Sequence, residues 1–272
     1  MARTQPRRPL LSRTTRLGRE AVITGADYET VRRHLLHVCT TAMEKPNRKV
    51  TSNDAANAVS GNLETLPHAF VYACIADYQL SFDRAWGLPL ELAERLGTLE
   101  FVELTKLRKA TWVRVMNKWP PLHRFPNVVG ERLFGATKRI AMEYAGDAGR
   151  IWSGNPGSAT VVRRFLEFDG IGPKIATMAA NILVRSFGVP MADRFSIDIS
   201  PDVQVGRVMY RLGLIEQPKD TTQVVYAARE LNPTYPGLFD AVMWDTGTKL
   251  CRPHNPRCGE CKLSVVCRSR IT

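Results

Sequence analysis

The sequence predicts an all-α protein, and three observations carry that expectation. Apolar residues recur at i, i+3, i+4 spacing in one segment after another. No stretch shows the apolar/polar alternation of a half-buried strand, and neither an internal repeat nor a low-complexity tract interrupts the pattern. The 272 residues, 44% of them hydrophobic, suffice for one large core or two small ones.

Residues 1–24 open the chain as a basic arm. Arg3, Arg7, Arg8, Arg13, Arg16 and Arg19 occur without an acid or an apolar period, the signature of a disordered, phosphate-attracting segment. An organellar presequence shares that composition and is the alternative reading. A first helix is expected over 27–43, with Val31, Leu35 and Val38 on one face. The polar run 45–64, rich in Asn, Ser and Thr, reads as a connection. Residues 67–97 read as predominantly helical around Phe70, Val71, Ala73, Cys74 and Ile75, with Cys39 and Cys74 as small core residues. Further amphipathic helices are expected over Leu99–Met116 and Val129–Tyr144.

Two helices within 158–187 follow. The first buries Val161, Val162, Phe165 and Leu166, and the second buries Ile175, Met178, Ala179, Ile182 and Leu183. After a loop over 188–201, Asp202 stands at the mouth of a helix carrying Val205, Val208, Met209 and Leu212, with Gly213 as its C-cap. Asp220 and Gln223 have the spacing of a capping box for a helix bearing Val224, Val225, Ala228 and Leu231. The last helical stretch runs from Pro236 to Leu250, with Leu238, Phe239, Val242 and Met243 on one side.

The charge balance narrows the partner. A net charge of +12 and a pI near 9.7 favour a polyanion. No run of apolar residues reaches membrane-spanning length, so a soluble protein without a membrane partner is expected.

The turn Gly170-Ile171-Gly172-Pro173-Lys174 between the paired helices has the chemistry of an anion site. Gly170 and Gly172 carry no Cβ and let backbone N–H groups face a close ligand. Pro173 suits the first helical position, and the helix dipole beginning there is reinforced by the charge of Lys174. A nucleic-acid phosphate is the natural guest. The same residues also serve as a plain helix connection, and Asp202, the preferred carboxylate among Asp193, Asp198 and Asp202, serves equally as a plain N-cap.

Cys251, Cys258, Cys261 and Cys267 form C-x6-C-x2-C-x5-C near the end of the chain. With no secretion signal, a metal centre explains them better than disulfides. Structural zinc more often shows two C-x2-C knuckles, and only Cys258 and Cys261 make one, so a four-cysteine [4Fe-4S] cluster and zinc are the two readings.

Taken together, the Phe168-x-Gly170-Ile171-Gly172-x-Lys174 hairpin, Asp202 five residues before Arg207-Val208, and the cysteine loop with its Asn255-Pro256-Arg257-Cys258-Gly259-Glu260-Cys261 context resemble the endonuclease III family. These are helix-hairpin-helix DNA glycosylases, and the resemblance spans roughly residues 25–268. It implies a two-domain fold. A six-helix barrel occupies 68–189, with the helix-hairpin-helix at 158–187. A discontinuous helical domain joins 25–67 to 190–272 and carries a [4Fe-4S] cluster loop at 251–267. The partner implied is double-stranded DNA containing a damaged or mismatched base, bound by a monomer in the cytoplasm or nucleoid, or in the nucleus or mitochondrion of a eukaryote.

The resemblance makes Lys174 the nucleophile and Asp202 the catalytic carboxylate of a base excision glycosylase with AP lyase activity. Gln79 matches the residue that enters the gap left by a flipped base. Gly170, Gly172, Arg252 and Arg257 would meet the DNA backbone, and Cys251, Cys258, Cys261 and Cys267 would hold the cluster. Relatives that remove adenine usually lack the hairpin lysine and carry a further C-terminal domain, whereas five residues follow Cys267 here. Oxidised pyrimidines are therefore the first expected substrate. A monofunctional mismatch uracil/thymine glycosylase and a non-catalytic DNA-binding protein are the alternatives. Two departures from the family stand out. Lys174 and Asp202 are 28 positions apart, longer than usual, and the familiar Asp-Thr-His is replaced by Asp202-Val203-Gln204.

Overall fold

The computed structural model describes residues 22–44 and 49–268, and among them every regular element is helical. The basic arm up to residue 21 lies outside the described residues. In chain order the α-helices are α1 (Gly25–Met43), α2 (Asp54–Ser60), α3 (Pro67–Ala76), α4 (Phe82–Leu96), α5 (Phe101–Lys106), α6 (Lys109–Asn117), α7 (Pro126–Glu143), α8 (Ser158–Leu166), α9 (Pro173–Phe187), α10 (Val203–Leu212), α11 (Thr221–Leu231) and α12 (Asp240–Lys249). Short 3-10 turns follow α7, precede α12 and punctuate the cysteine loop. None of the described helices is long and apolar enough to cross a membrane.

The helices pack around two groups of buried apolar side chains. The first is centred on α3, whose ten residues are all buried, the mark of a helix surrounded by others. Phe70 meets Trp86 and Trp152 edge to face at 5.1 and 5.6 Å, and the Tyr72 hydroxyl bonds Thr137 Oγ1 at 2.6 Å. Helices α4 to α9 supply most of the remaining side chains of this core. The second core joins Val31, Leu35 and Cys39 of α1 to α10, α11, α12 and Leu263, so segments far apart in the chain share one interior.

Several helix boundaries differ from those read in the sequence, each for a physical reason. The run 45–64 contains α2, because Asn53 caps it by accepting from the Ala56 N–H at 3.1 Å while Asn57 Oδ1 accepts from Val50 and Thr51 at 2.8 and 3.0 Å. The Asn and Thr that read as loop are acting as caps. The stretch 67–97 is two helices, parted at residues 77–81 where Gln79 takes a left-handed conformation (φ +50°). Leu99–Met116 is also broken, with Leu107 extended between α5 and α6. Leu166 is exposed at the end of α8. Asp220 caps α11 by accepting from the Thr222 and Gln223 N–H groups at 3.0 Å, but Gln223 reaches the Glu216 N–H instead of closing a reciprocal box.

Candidate active site

The site is built where the ends of α3, α9 and α10 converge. Gly170 has φ +95° and turns the chain from α8 into α9, while Ile171 is buried as the anchor of the turn. Gly172 precedes α9 as its N-cap with no side-chain cap, which leaves the first N–H groups of that 15-residue helix open to a ligand. Lys174 stands exposed in the first turn.

The two glycines do different work. A Cβ on Gly170 would lie 2.8 Å from Arg132 Cδ, in addition to the strain of its positive φ, whereas a Cβ on Gly172 would meet nothing within 4 Å. Gly170→Ala is therefore expected to cost about 1–2 kcal/mol in stability. Gly172→Ala is expected to melt like wild type yet bind duplex DNA more weakly, because its Cβ would stand where a phosphate approaches. Thermal melts alongside gel-shift titrations check both.

Asp202 caps α10, its Oδ1 accepting from the Gln204 and Val205 N–H groups at 2.8 and 2.9 Å. The other two acids of the preceding loop are committed elsewhere. Asp193 accepts from the hydroxyl and N–H of Ser158 at the start of α8, and Asp198 is held by Arg229 through two bonds of 2.7 and 2.8 Å. Asp198 thus has both carboxylate oxygens engaged, whereas Asp193 and Asp202 each accept through Oδ1. The Arg207 spacing also has a structural basis. Its guanidinium donates to Gly247 O at 2.7 Å and Cys251 O at 2.6 Å and also meets Gln204, fastening α10 and its N-cap to the end of α12.

Asp77 completes the cluster and was not singled out from the sequence. It ends α3 and is half-buried. Its carboxyl is pushed above the ordinary aspartate range by burial, pulled back by the nearby Lys174 ammonium and raised again by Asp202. Three ionisable groups from three helix ends thus share one electrostatic neighbourhood.

Gln79 lies two residues on, exposed, at the rim of an open depression that also includes Arg84, His123 and Arg124. Arg132 links this rim to the hairpin. Its guanidinium sits 5.3 Å from the Tyr78 ring centroid and its stem lies against Gly170. Its Nη1 is buried without a hydrogen-bond partner. Arg132 therefore joins Tyr78, the neighbour of Gln79, to Gly170 of the hairpin, while Lys174 and Asp202 both act on the Asp77 carboxyl.

A buried polar network holds the hairpin against the second core. Asn181 of α9 donates to Gly237 O at 2.9 Å and accepts from the Tyr235 hydroxyl at 2.5 Å. Asp240 accepts from the Ser200 N–H at 3.0 Å, and Asn181 Nδ2 is 3.5 Å away. Burial, helped by Asp202, pushes Asp240 up to about 6, against the pull of the Ser200 N–H and Arg185. A raised carboxyl binds its proton more tightly folded than unfolded. The stability it confers is full below about pH 4 and is lost as pH rises through about 6. Urea melts of Asp240→Asn against wild type are expected to shift in the variant's favour by about 2–3 kcal/mol between pH 4 and pH 8.

The four cysteines line one largely apolar cavity with Val208, Leu212, Leu250 and Leu263. Among the described residues no three His, Cys, Asp or Glu side chains converge on a single ion position. Arg211, four residues beyond Arg207, donates to Cys251 Sγ at 3.3 Å and to Arg252 O at 2.9 Å, while Cys267 Sγ approaches Arg211 O at 3.4 Å. His34 of α1 meets Lys262 O at 2.8 Å and ties the loop to the second core. Burial raises the Cys261 thiol, and Cys251 and Cys258 raise it further. Arg252 is exposed, whereas Arg257 is engaged by Glu260 through both carboxylate oxygens.

No protein-family model matches this chain, and no curated protein matches it in sequence. Solved structures do. A trapped endonuclease III–DNA covalent intermediate with an estranged adenine is 16% identical with a TM-score of 0.57, and a non-covalent endonuclease III–DNA complex is 15% identical with a TM-score of 0.58. A thermostable thymine-DNA glycosylase is 13% identical with a TM-score of 0.54. Each alignment covers 89% of this chain and 95% of the other. Likeness at this level of identity speaks for architecture: the chain has the all-helical fold of the endonuclease III-type DNA glycosylases.

Proposed function

We propose that this protein is a base excision repair DNA glycosylase with AP lyase activity, acting on oxidised pyrimidines in duplex DNA. The observation that carries the reading is the pairing of the uncapped start of α9, bearing Lys174, with the Asp202 N-cap of α10, both of whose charges reach the half-buried Asp77 at the end of α3. It is supported by the fold shared with glycosylases solved on DNA and by the net charge of +12.

In this reading the open N–H groups at the start of α9 hold a phosphate, Gln79 fills the gap left by the flipped nucleotide, and Asp202 stabilises positive charge developing on the sugar. Lys174, as a free amine, attacks C1′ while the bond to the base breaks. The resulting Schiff base permits β-elimination of the 3′ phosphate. The hairpin packs on the first core through Ile171 and Ile175 and the α10 N-cap on the second through Val205, and in this reading the site lies between the two cores.

The cysteine loop is proposed to hold a [4Fe-4S] cluster through Cys251, Cys258, Cys261 and Cys267. A single zinc ion needs all its sulfurs within about 2.3 Å of one point. A cluster instead places each thiolate on its own iron around a void, which suits four cysteines around one cavity. Its part is to shape the loop, with Arg252 toward DNA.

The likeness to a thymine-DNA glycosylase favours one second reading, a monofunctional glycosylase on mismatched uracil or thymine. A panel of duplexes, each with one thymine glycol, oxidised cytosine, G·U, G·T or abasic site, separates the two when assayed for base release and for borohydride-trapped protein–DNA adducts. Release from thymine glycol with an adduct is expected. Release from G·T or G·U without an adduct supports the second reading, and neither product from any duplex overturns both.

A further inference from the structure

Asp202 reaches its place at the end of a long connection. The described residues 188–202, between α9 and α10, form no regular element, and such a segment has many conformations to give up before its last residue is fixed. The loop is tied down in stages. Asp193 and Ser196 fasten its first half to Ser158 at the start of α8, the Ser196 N–H donating to Ser158 Oγ at 3.1 Å. Arg229 holds its middle through Asp198. The tie nearest Asp202 belongs to Asp240, the first residue of α12.

Asp240 grips one residue by two groups. Its Oδ1 accepts from the Ser200 N–H at 3.0 Å, and its Oδ2 faces the Ser200 hydroxyl at 3.4 Å. Ser200 is itself buried and stands two residues before Asp202, with Pro201 between them. Proline has its φ fixed by the ring, so a displacement of Ser200 passes to Asp202 with little slack. The Asp240 carboxyl is in turn set from behind. Asn181 Nδ2 lies 3.5 Å from its Oδ2, and Asn181 is fixed by its bond to Gly237 O at 2.9 Å and by the Tyr235 hydroxyl at 2.5 Å. Gly237 leaves no room for adjustment, since its N–H donates to Ile197 O at 2.7 Å and a Cβ would stand 2.8 Å from that oxygen.

The same helix holds the other side of Asp202. A Cβ on Gly247 of α12 would lie 2.8 Å from Gln204 Cβ and Gln204 O, so the two helices meet closely at the first turn of α10. Arg207 adds its bond to Gly247 O at 2.7 Å. Asp202 is thereby bracketed by attachments to one helix, Asp240 before it and Gly247 after it. With its Oδ1 held by the Gln204 and Val205 N–H groups, the direction of its carboxylate follows the backbone on either side.

We propose that Asp240 is a positioning residue for Asp202, acting through Ser200, a role that rests on the glycosylase reading above. Asp240 touches no part of the substrate in this assignment. It fixes where the Asp202 carboxylate meets the sugar, and a misplacement of about 1 Å at such a point costs a reaction about 100-fold.

Single-turnover base release and duplex binding by the full chain test this on the best duplex of the panel, well below the melting temperature of each variant. Asp240→Ala removes the grip and is expected to slow release by about 100-fold while binding a duplex with a non-cleavable abasic analogue as wild type does. Asp240→Asn keeps an Oδ1 acceptor for the Ser200 N–H and is expected to stay within several-fold of the wild-type rate. Tyr235→Phe deletes a buried bond of the same network but leaves Ser200 held, so it should melt lower yet release base as wild type does. Pro201→Gly keeps the grip and loosens its transmission; it is expected to slow release by about tenfold and decides the matter should Asp240→Ala fail to fold. Hydrogen exchange gives a readout without activity, since amides of 199–205 should exchange faster in Asp240→Ala and not in Tyr235→Phe. A purely structural Asp240 predicts instead that rate follows melting temperature across the set, or that binding weakens with rate. Either pattern, equal losses in Asp240→Ala and Asp240→Asn, or wild-type kinetics in Asp240→Ala or Pro201→Gly overturns the assignment and leaves the glycosylase reading intact. A wild type that releases no base from any duplex removes both.

Discussion

Lys174→Gln is expected to abolish the borohydride-trapped adduct and to slow base release by on the order of 10³-fold or more, because the variant has no lone pair to offer C1′. The exposed position of Lys174 means the substitution disturbs no core contact, and the melting temperature should stay within experimental error. Asp202→Asn is the informative companion. Asn is as good an N-cap as Asp, and its Oδ1 can accept the same N–H bonds from Gln204 and Val205. Stability should therefore change by less than about 0.5 kcal/mol, whereas base release should fall on the order of 10²- to 10³-fold through lost negative charge at the sugar. Asp202→Ala should add a stability cost of about 1 kcal/mol to the same catalytic loss. If Asp202 is only a cap, the Asn variant keeps full activity, and activity follows stability through the series.

The second large effect concerns the cysteine loop. Protein isolated without oxygen is expected to show broad visible absorbance and about four irons with about four acid-labile sulfides per chain. Cys258→Ser should lose that absorbance and melt several degrees lower, since ligands that bind only the folded chain stabilise it by mass action. The loop is also held by protein contacts, among them Arg207 at Cys251 O. It rests on Leu263 in the second core, on the Arg211 bonds to Cys251 and Arg252, and on the His34 contact. Cys39, buried in the same core but away from the loop, provides the control, because Cys39→Ala should retain full absorbance despite some loss of packing. Stoichiometric zinc in colourless protein would remove the cluster from the proposal. The arginines of the loop are unequal in this context. Arg257 is already neutralised by Glu260, so Arg252→Ala is expected to weaken duplex binding more than Arg257→Ala in the same titrations.

The features legible in the sequence are those whose physics is local. The hairpin is a run of five residues, Gly170 to Lys174, in which the turn, the open amides and the charge all come from near neighbours. Asp202 as an N-cap follows from the helical period that begins at Val205, and the cysteine pattern lies within 17 consecutive residues from Cys251 to Cys267. The all-α class was likewise a matter of local periodicity, and the helices bear it out. Local reading failed where a turn carries no glycine or proline. Asp77-Tyr78-Gln79-Leu80-Ser81 continues a helical pattern, yet the chain breaks there with Gln79 left-handed. It failed again at α2, where polar residues that suit a loop also suit the caps of a seven-residue helix.

Sequence alone thus determined the helical class, the phosphate-ready hairpin and the grouping of four cysteines, because each is written in residues a few positions apart. Only the tertiary structure decided how each acid of the loop is engaged and what surrounds it. Asp193 and Asp198 are withdrawn by Ser158 and Arg229, partners 35 and 31 positions away. Asp77 and Lys174 are 97 positions apart in the chain, and Asn181 meets Gly237 across 56. Burial, charge pairing and proton affinity at such a junction are set by what packs from elsewhere, and no local pattern records them.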